Sequence, residues 1–112
     1  EQTSAGYHQL IKNPIPFPVI NVARSPVKLS IESPMIAEAA AIRINQALEE
    51  LSLKPEATLI LGAGPIGIAI YNQIKNNGLV KVYDTNNNLS QIKESDFLKT
   101  LPKYDCIIGC TG

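Results

Sequence analysis

The sequence predicts an α/β fold, a parallel sheet with helices flanking it, and three observations predict it. Ala57-Thr58-Leu59-Ile60-Leu61 is a short apolar run with no polar alternation, which suits a central parallel strand covered on both faces. Gly62-Ala63-Gly64-Pro65-Ile66-Gly67 turns the chain directly after it and opens a stretch of helical period at Ile66, Ile70 and Ile74. A second apolar run, Leu79-Val80-Lys81-Val82-Tyr83, then ends on an acid, Asp84. Strand, glycine turn, helix, strand and acid is the order of the βαβ unit, with an expected right-handed crossover. The fold is therefore expected to be Rossmann-like.

Along the chain, the first third is punctuated by Pro14, Pro16, Pro18, Pro26 and Pro34. Proline removes a backbone donor and disfavours helix for the residue before it, so residues 1–33 read as a proline-rich extended segment. Within it Val19–Ala23 reads as a short extended piece. Ser33-Pro34 reads as a helix start, with Ser33 as N-cap and Pro34 at the first position. Met35, Ala39, Ile42, Ile44, Ala47, Leu48 and Leu51 then carry helical periodicity up to Pro55. Residues 34–112 are expected to form the Rossmann-type domain. Asn76-Asn77-Gly78 stops the second helix.

Beyond Asp84 the pattern departs from a regular Rossmann unit. Thr85-Asn86-Asn87-Asn88 reads as loop, and so short a connection cannot join two parallel neighbours. The sheet is expected to be truncated or shortened after its second strand, or irregularly connected there. Ser90–Lys93 suits a short extended piece. Ser95 suits the cap of a short helix through Leu101, stopped by Pro102. Asp105–Cys110 reads as a further strand, placing Ala57–Leu61 between it and Leu79–Tyr83.

Composition excludes several classes. The chain has 112 residues, 45% hydrophobic and 18% charged, so it is globular in type rather than disordered. Ten basic residues balance ten acidic ones, whereas nucleic-acid binders need clustered positive charge. No apolar stretch approaches the ~20 residues of a membrane span, and Glu1-Gln2-Thr3-Ser4 does not resemble a signal peptide. Cys106 and Cys110 are the only cysteines and His8 the only histidine. Reduced, buried thiols in a cytoplasmic protein are expected, with no metal site.

The glycine turn carries the chemistry. Gly62 suits the tight turn, Gly64 the approach of a pyrophosphate to the backbone, and Gly67 the packing of helix on strand. The helix start adds partial positive charge toward phosphates. Pro65 donates nothing, which leaves the N–H groups of Ile66 and Gly67 to face them. A carboxylate at Asp84 accepts from ribose hydroxyls and repels a 2′-phosphate, favouring NAD over NADP. FAD shares the fingerprint. Asp105, Glu49 and Glu50 read as surface charges.

Outside the turn, Glu1-Gln2-Thr3-Ser4-Ala5-Gly6-Tyr7-His8, Pro18-Val19-Ile20-Asn21-Val22 and Ser25-Pro26-Val27-Lys28 stand in an order and spacing that resemble adenosylhomocysteinase. The closing Thr111-Gly112 resembles that family's turn after its fourth cofactor-domain strand. The resemblance covers the whole chain. It implies NAD as cofactor, and a cytoplasmic hydrolase of one-carbon metabolism acting on S-adenosylhomocysteine. In such an enzyme the 3′-hydroxyl is oxidised transiently so that homocysteine can leave. It implies catalytic roles for Lys28, at the 3′-hydroxyl, and for Glu32, which stands where the family has a catalytic aspartate. It also implies cofactor contacts for Thr3, Ser4, Ser33, Gly62, Gly64, Pro65, Ile66, Gly67, Asp84 and Thr111.

The departures are Gln2 in place of a substrate-binding glutamate, Glu32 and Ser33 in place of Asp and Asn, and Ala5 in place of a threonine. Glutamate is one methylene longer than aspartate, enough to disturb placement that needs sub-ångström accuracy. The chain alone is not expected to be an active hydrolase; the partners expected of a longer parent are S-adenosylhomocysteine or adenosine and further copies of itself in a homo-oligomer. Two alternatives stand beside this reading. One is a non-catalytic NAD-binding or regulatory module, and the other a fragment of another nicotinamide-dependent dehydrogenase, since Gly-Ala-Gly-Pro-Ile-Gly also looks like the turn of zinc alcohol dehydrogenases.

Overall fold

The computed structural model describes residues 3–13, 15–22 and 25–111, with only the backbone for 3–5, 7 and 8. Its centre is strand β1, Ala57–Leu61, held between β2, Leu79–Tyr83, and β3, Cys106–Gly109, in a parallel sheet of order β2-β1-β3. The register sets Ile60 beside Val82 on one side and Ile108 on the other. Leu59 and Ile60 are both fully buried although they point to opposite faces. A strand covered on both sides needs no polar alternation, which is why its sequence has none.

One face of the sheet, carrying Ile60, Val80, Val82 and Ile108, packs on α2 (Ser33–Glu50) and α3 (Pro65–Ile74). Small side chains, Ala37, Ala40 and Ala41 of α2 and Ala69 of α3, sit in that layer beside Ile70 and Ile74. On the opposite face Tyr83 stacks on Phe97 of α4 (Glu94–Thr100), ring centroids 3.9 Å apart. The chain is thus α/β, a three-stranded parallel sheet with helices on its two faces. The expectation that Ala57–Leu61 is central holds.

The start of the chain differs from the sequence reading. Thr3–Lys12 is a helix, α1, rather than extended. No proline precedes Pro14, so nothing in that stretch forbids helix, and Pro14 then disfavours helix for Asn13. Of the expected extended piece Val19–Ala23, residues 19–22 pair with no strand of the sheet, and Ala23 lies outside the described residues.

Helix also begins at Pro26, not at Ser33, and the backbone stays helical through to Glu50. Ser25 Oγ accepts from the Lys28 N–H at 3.3 Å with Pro26 next in line. The Ser-Pro start signal therefore operates, but at the earlier of the two Ser-Pro pairs. Ser33 is not a cap: its backbone is helical, and its Oγ donates to the Lys28 carbonyl at 2.9 Å. Pro34 lacks the N–H that would bond back to Ser30 and its ring would collide with that carbonyl. The preceding turn, Lys28–Glu32, widens to a π-helix, with the Ser33 N–H reaching the Lys28 carbonyl. A boundary at 33/34 falls inside this continuous helix.

Further along α2, Met35, Ile42 and Leu51 lie exposed, while Ala37, Ala40, Ala41, Ile44 and Leu48 face inward. The helix has apolar residues on both sides, and the alanines permit the closer approach to α3. It ends in a Schellman arrangement, Leu53 N–H to Leu48 O and Ser52 N–H to Glu49 O, with Ser52 at φ 55°. At the far end of the chain, Lys93 and not Ser95 precedes the first residue of α4. Pro102 sits inside a single 3₁₀ turn, Leu101–Lys103, that follows it.

Candidate functional site

The carboxyl ends of β1, β2 and β3 converge on the glycine turn. Because β2 and β3 lie on either side of β1, the crevice above β1 is the point where the strand order reverses, the place where open α/β sheets take ligands. Gly62 N–H donates to the Tyr83 carbonyl at 2.8 Å and Cys110 N–H to the Leu61 carbonyl at 2.7 Å, so all three strand ends are tied together.

The three glycines have different reasons to be glycine. Gly62 has φ +104°, and a Cβ there would lie 2.9 Å from the Cys110 carbonyl oxygen and 3.2 Å from Thr111 N. A Cβ on Gly67 would lie 1.9 Å from the Gly62 carbonyl oxygen, so α3 can rest on β1 only without one. Gly64 is unlike both. Its backbone is ordinary, φ −66° and ψ 175°, and a Cβ there would meet nothing within 4 Å. The fold itself places no demand for glycine at that position; open space lies before it. Gly64 precedes Pro65 at the start of α3, whose opening N–H groups at Ile66 and Gly67 have no intrahelical partner.

Asp84 stands at the end of β2. Its Oδ2 accepts from the Ala63 N–H at 2.7 Å and its Oδ1 from the Asn86 N–H at 2.8 Å. Its own N–H donates to Ser90 Oγ at 3.1 Å, and that hydroxyl donates to the Ile92 carbonyl at 2.6 Å. Ser90–Lys93 is not a strand. One residue of it, Gln91, docks on the outer edge of β2: its N–H donates to the Val82 carbonyl at 2.9 Å and its Oε1 accepts from the Val82 N–H at 3.1 Å. Among the described residues no strand pairs with this edge of β2, and the backbone and side chain of Gln91 serve it instead.

An open groove beside the turn is lined by Ala63, Pro65, Ile68 and Asn72 on one side and by Leu29 and Pro34 on the other. The widened turn Lys28–Glu32 thus runs alongside the glycine turn. Within it Lys28 Nζ and Glu32 Oε1 form an ion pair at 2.7 Å. Ser33 is buried behind them. Thr111 brings its backbone against Gly62. Thr3 and Ser4 lie in α1, their side chains outside the described residues, as Gln2 is altogether. The structure therefore gathers Gly62, Gly64, Pro65, Ile66, Gly67, Asp84 and Thr111 at one place.

Asp105 is more than a surface charge. Its two carboxylate oxygens accept from the N–H groups of Glu56 (2.9 Å) and Ala57 (3.0 Å), fastening the start of β1 to the start of β3. Those donors hold its carboxyl below the usual carboxylate range. The strand expected at Asp105–Cys110 is shorter, Cys106–Gly109, which leaves the Asp105 side chain to cap the edge beside it. Cys106 and Cys110 are free and share the inward face with Ile108, and burial pushes the Cys110 thiol up. Among the described residues no helix is long and apolar enough to cross a membrane.

Two relatives, both from Mycobacterium tuberculosis, resemble the chain over its whole length. They are the uncharacterized protein Rv0104 of strain ATCC 25618 / H37Rv and the uncharacterized protein MT0113 of strain CDC 1551 / Oshkosh. Each is 40% identical over 116 aligned residues, covering 100% of this chain and 22% of the relative. The chain thus spans about a fifth of the length of the curated relatives it matches. No family profile matches it, and no solved structure does.

Proposed function

We propose that this chain is the NAD-binding unit of an adenosylhomocysteinase-like protein, with a Rossmann-like sheet shortened after its second strand. The observation that carries the cofactor part is Gly64: a glycine with ordinary backbone angles and no internal contact to avoid, at the mouth of a helix. The open space before it suits a ligand, and the flanking N–H groups suit a pyrophosphate. In this reading Ile66 and Gly67 hold the phosphates, and the free lone pairs of Asp84 receive the adenosine ribose. NAD supplies a hydride acceptor when bound. The part specific to adenosylhomocysteinase rests on the sequence motifs. The groove beside the glycine turn supports it, because Leu29, next in the chain to Lys28, lines it together with Ala63 and Pro65.

The test is calorimetry with NAD and NADP. Gly64→Val should weaken NAD binding at least tenfold, since the added side chain stands where the pyrophosphate approaches. Asp84→Asn should narrow the preference for NAD over NADP by removing the charge that repels a 2′-phosphate. Equal affinity of wild type and Gly64→Val would remove the glycine turn from the site.

The Lys28–Glu32 pair favours a second reading, a module that binds NAD and performs no chemistry. A lysine amino group held at 2.7 Å by a carboxylate must give up that partner before it can serve a substrate hydroxyl.

A further inference from the structure

We propose that Asp84 is a positioning residue for the glycine turn, a role separate from any contact with a ribose. Ala63 lies between the first two glycines and is 5% exposed, with its side chain in the core cluster. It belongs to neither β1 nor α3, so no ladder supplies its N–H with an acceptor, and a buried N–H needs one. Asp84 Oδ2 supplies it at 2.7 Å, a charge-assisted bond at the short end of the range.

The carboxylate is itself fixed. Asn86 N–H holds Oδ1, and Ser90 Oγ holds the Asp84 N–H while bonding onward to Ile92. Ile92 is buried and Gln91 is fastened to Val82 on both its donor and acceptor sides. The irregular loop that replaces a strand here thus anchors the acid. The acid in turn sets the path of the turn just before Gly64, and so the direction of the N–H groups that open α3. A carboxylate has about four lone-pair sites. The two backbone donors leave room for ribose hydroxyls, so both roles are compatible. The phosphate-facing consequence rests on the NAD-binding reading; the clamp on Ala63 does not.

The experiment compares backbone amide hydrogen exchange by NMR in the unliganded chain for wild type, Asp84→Ala and Asp84→Asn, followed by NAD calorimetry. Exchange at Ala63 should be about tenfold or more faster in Asp84→Ala, with Ile60 of the central strand still protected. Asp84→Asn keeps a side-chain carbonyl as acceptor and should stay within about threefold of wild type at Ala63. NAD affinity should follow exchange, falling in Asp84→Ala well beyond its fall in Asp84→Asn. If Asp84→Ala also strips protection from Ile60, Asp84→Ser replaces it, its hydroxyl being too short to reach Ala63, with the same expectation. Unchanged exchange at Ala63 without the carboxylate overturns the proposal, as does loss of protection in Asp84→Asn equal to that in Asp84→Ala. A wild type that takes no NAD sinks the cofactor reading, while Ala63 exchange still decides the clamp.

Discussion

Substituting Gly67 by alanine separates the glycines that packing requires from the one with open space before it. In a helix the change alone would favour folding by roughly 0.5–1 kcal/mol. Here the new Cβ would stand 1.9 Å from the Gly62 carbonyl oxygen, against a floor of 3.0 Å for real contacts. Gly62 cannot give way, since its N–H is bonded to Tyr83 and its own Cα faces the Cys110 carbonyl. Helix α3 must therefore retreat by at least about 1 Å, lifting Ile70 and Ile74 from a layer in which they are 4% and 6% exposed. Overpacking of this kind costs about 1–3 kcal/mol, and partial loss of two buried isoleucines adds to it. A net loss of about 2–4 kcal/mol is expected, a large share of the ~5–15 kcal/mol that holds a domain together. Gly64→Ala, with nothing within 4 Å of the new methyl, should change stability by no more than about 1 kcal/mol, because the loss of a preferred N-cap residue opposes the gain from a stiffer unfolded chain. Urea unfolding followed by circular dichroism, without ligand, measures both. Gly67→Ala within ~0.5 kcal/mol of wild type, or Gly64→Ala as unstable as Gly67→Ala, refutes the reasoning.

Four other outcomes are expected. Asp105 has a lowered native pKa, so its contribution is present above its unfolded pKa of about 4 and is lost as pH falls through the native value. The stability gap between wild type and Asp105→Asn should therefore shrink below about pH 4; a gap constant from neutral to acid pH would count against the clasp on β1. Ser52→Gly should raise stability by about 0.5–1 kcal/mol by relieving a side chain held at φ 55° in the Schellman turn, and a lower melting temperature would contradict this. Gln91→Ala should cost about 1 kcal/mol by leaving the Val82 N–H without its acceptor, so unchanged unfolding would show that water replaces it freely. Under the proposed adenosylhomocysteinase-like reading, a longer protein carrying this chain is expected to hydrolyse S-adenosylhomocysteine weakly or not at all, since Gln2 in place of that family's substrate-binding glutamate would remove a charge-assisted bond of roughly 1.5–3 kcal/mol. A coupled assay showing robust turnover that Gln2→Glu leaves unchanged would contradict that.

What could be read from the sequence was what local pattern determines. An apolar run without alternation is a buried strand whatever surrounds it, and three glycines between strand and helix leave few other backbone paths, so β1, α3 and β2 stand where their residues put them. The structural duties of Gly62 and Gly67 were legible too, because each follows from its place relative to a strand end and a helix start. The Ser-Pro signal was legible in kind and ambiguous in place: Ser25-Pro26 and Ser33-Pro34 carry the same chemistry. Only the packed structure decides that helix begins at the first and absorbs the second by widening one turn.

What stayed hidden depends on partners far along the chain. Nothing local to Asp105 announces that Glu56 and Ala57 will present their N–H groups to it. Nothing local to Gln91 announces that one glutamine will occupy the edge of β2 in place of a strand. Asp84 shows how the two kinds of information meet. Its position at the end of β2 marked it as a ribose reader, and that inference used only sequence order. Its bond to Ala63 required the turn to fold back over β2, and that bond gives the residue a second reason to be acidic even with no ligand present. An acid in that position is therefore weaker evidence for a ribose than its place in the motif suggests. Gly64 differs in having open space where a Cβ would stand, so no internal contact gives it a second duty of that kind.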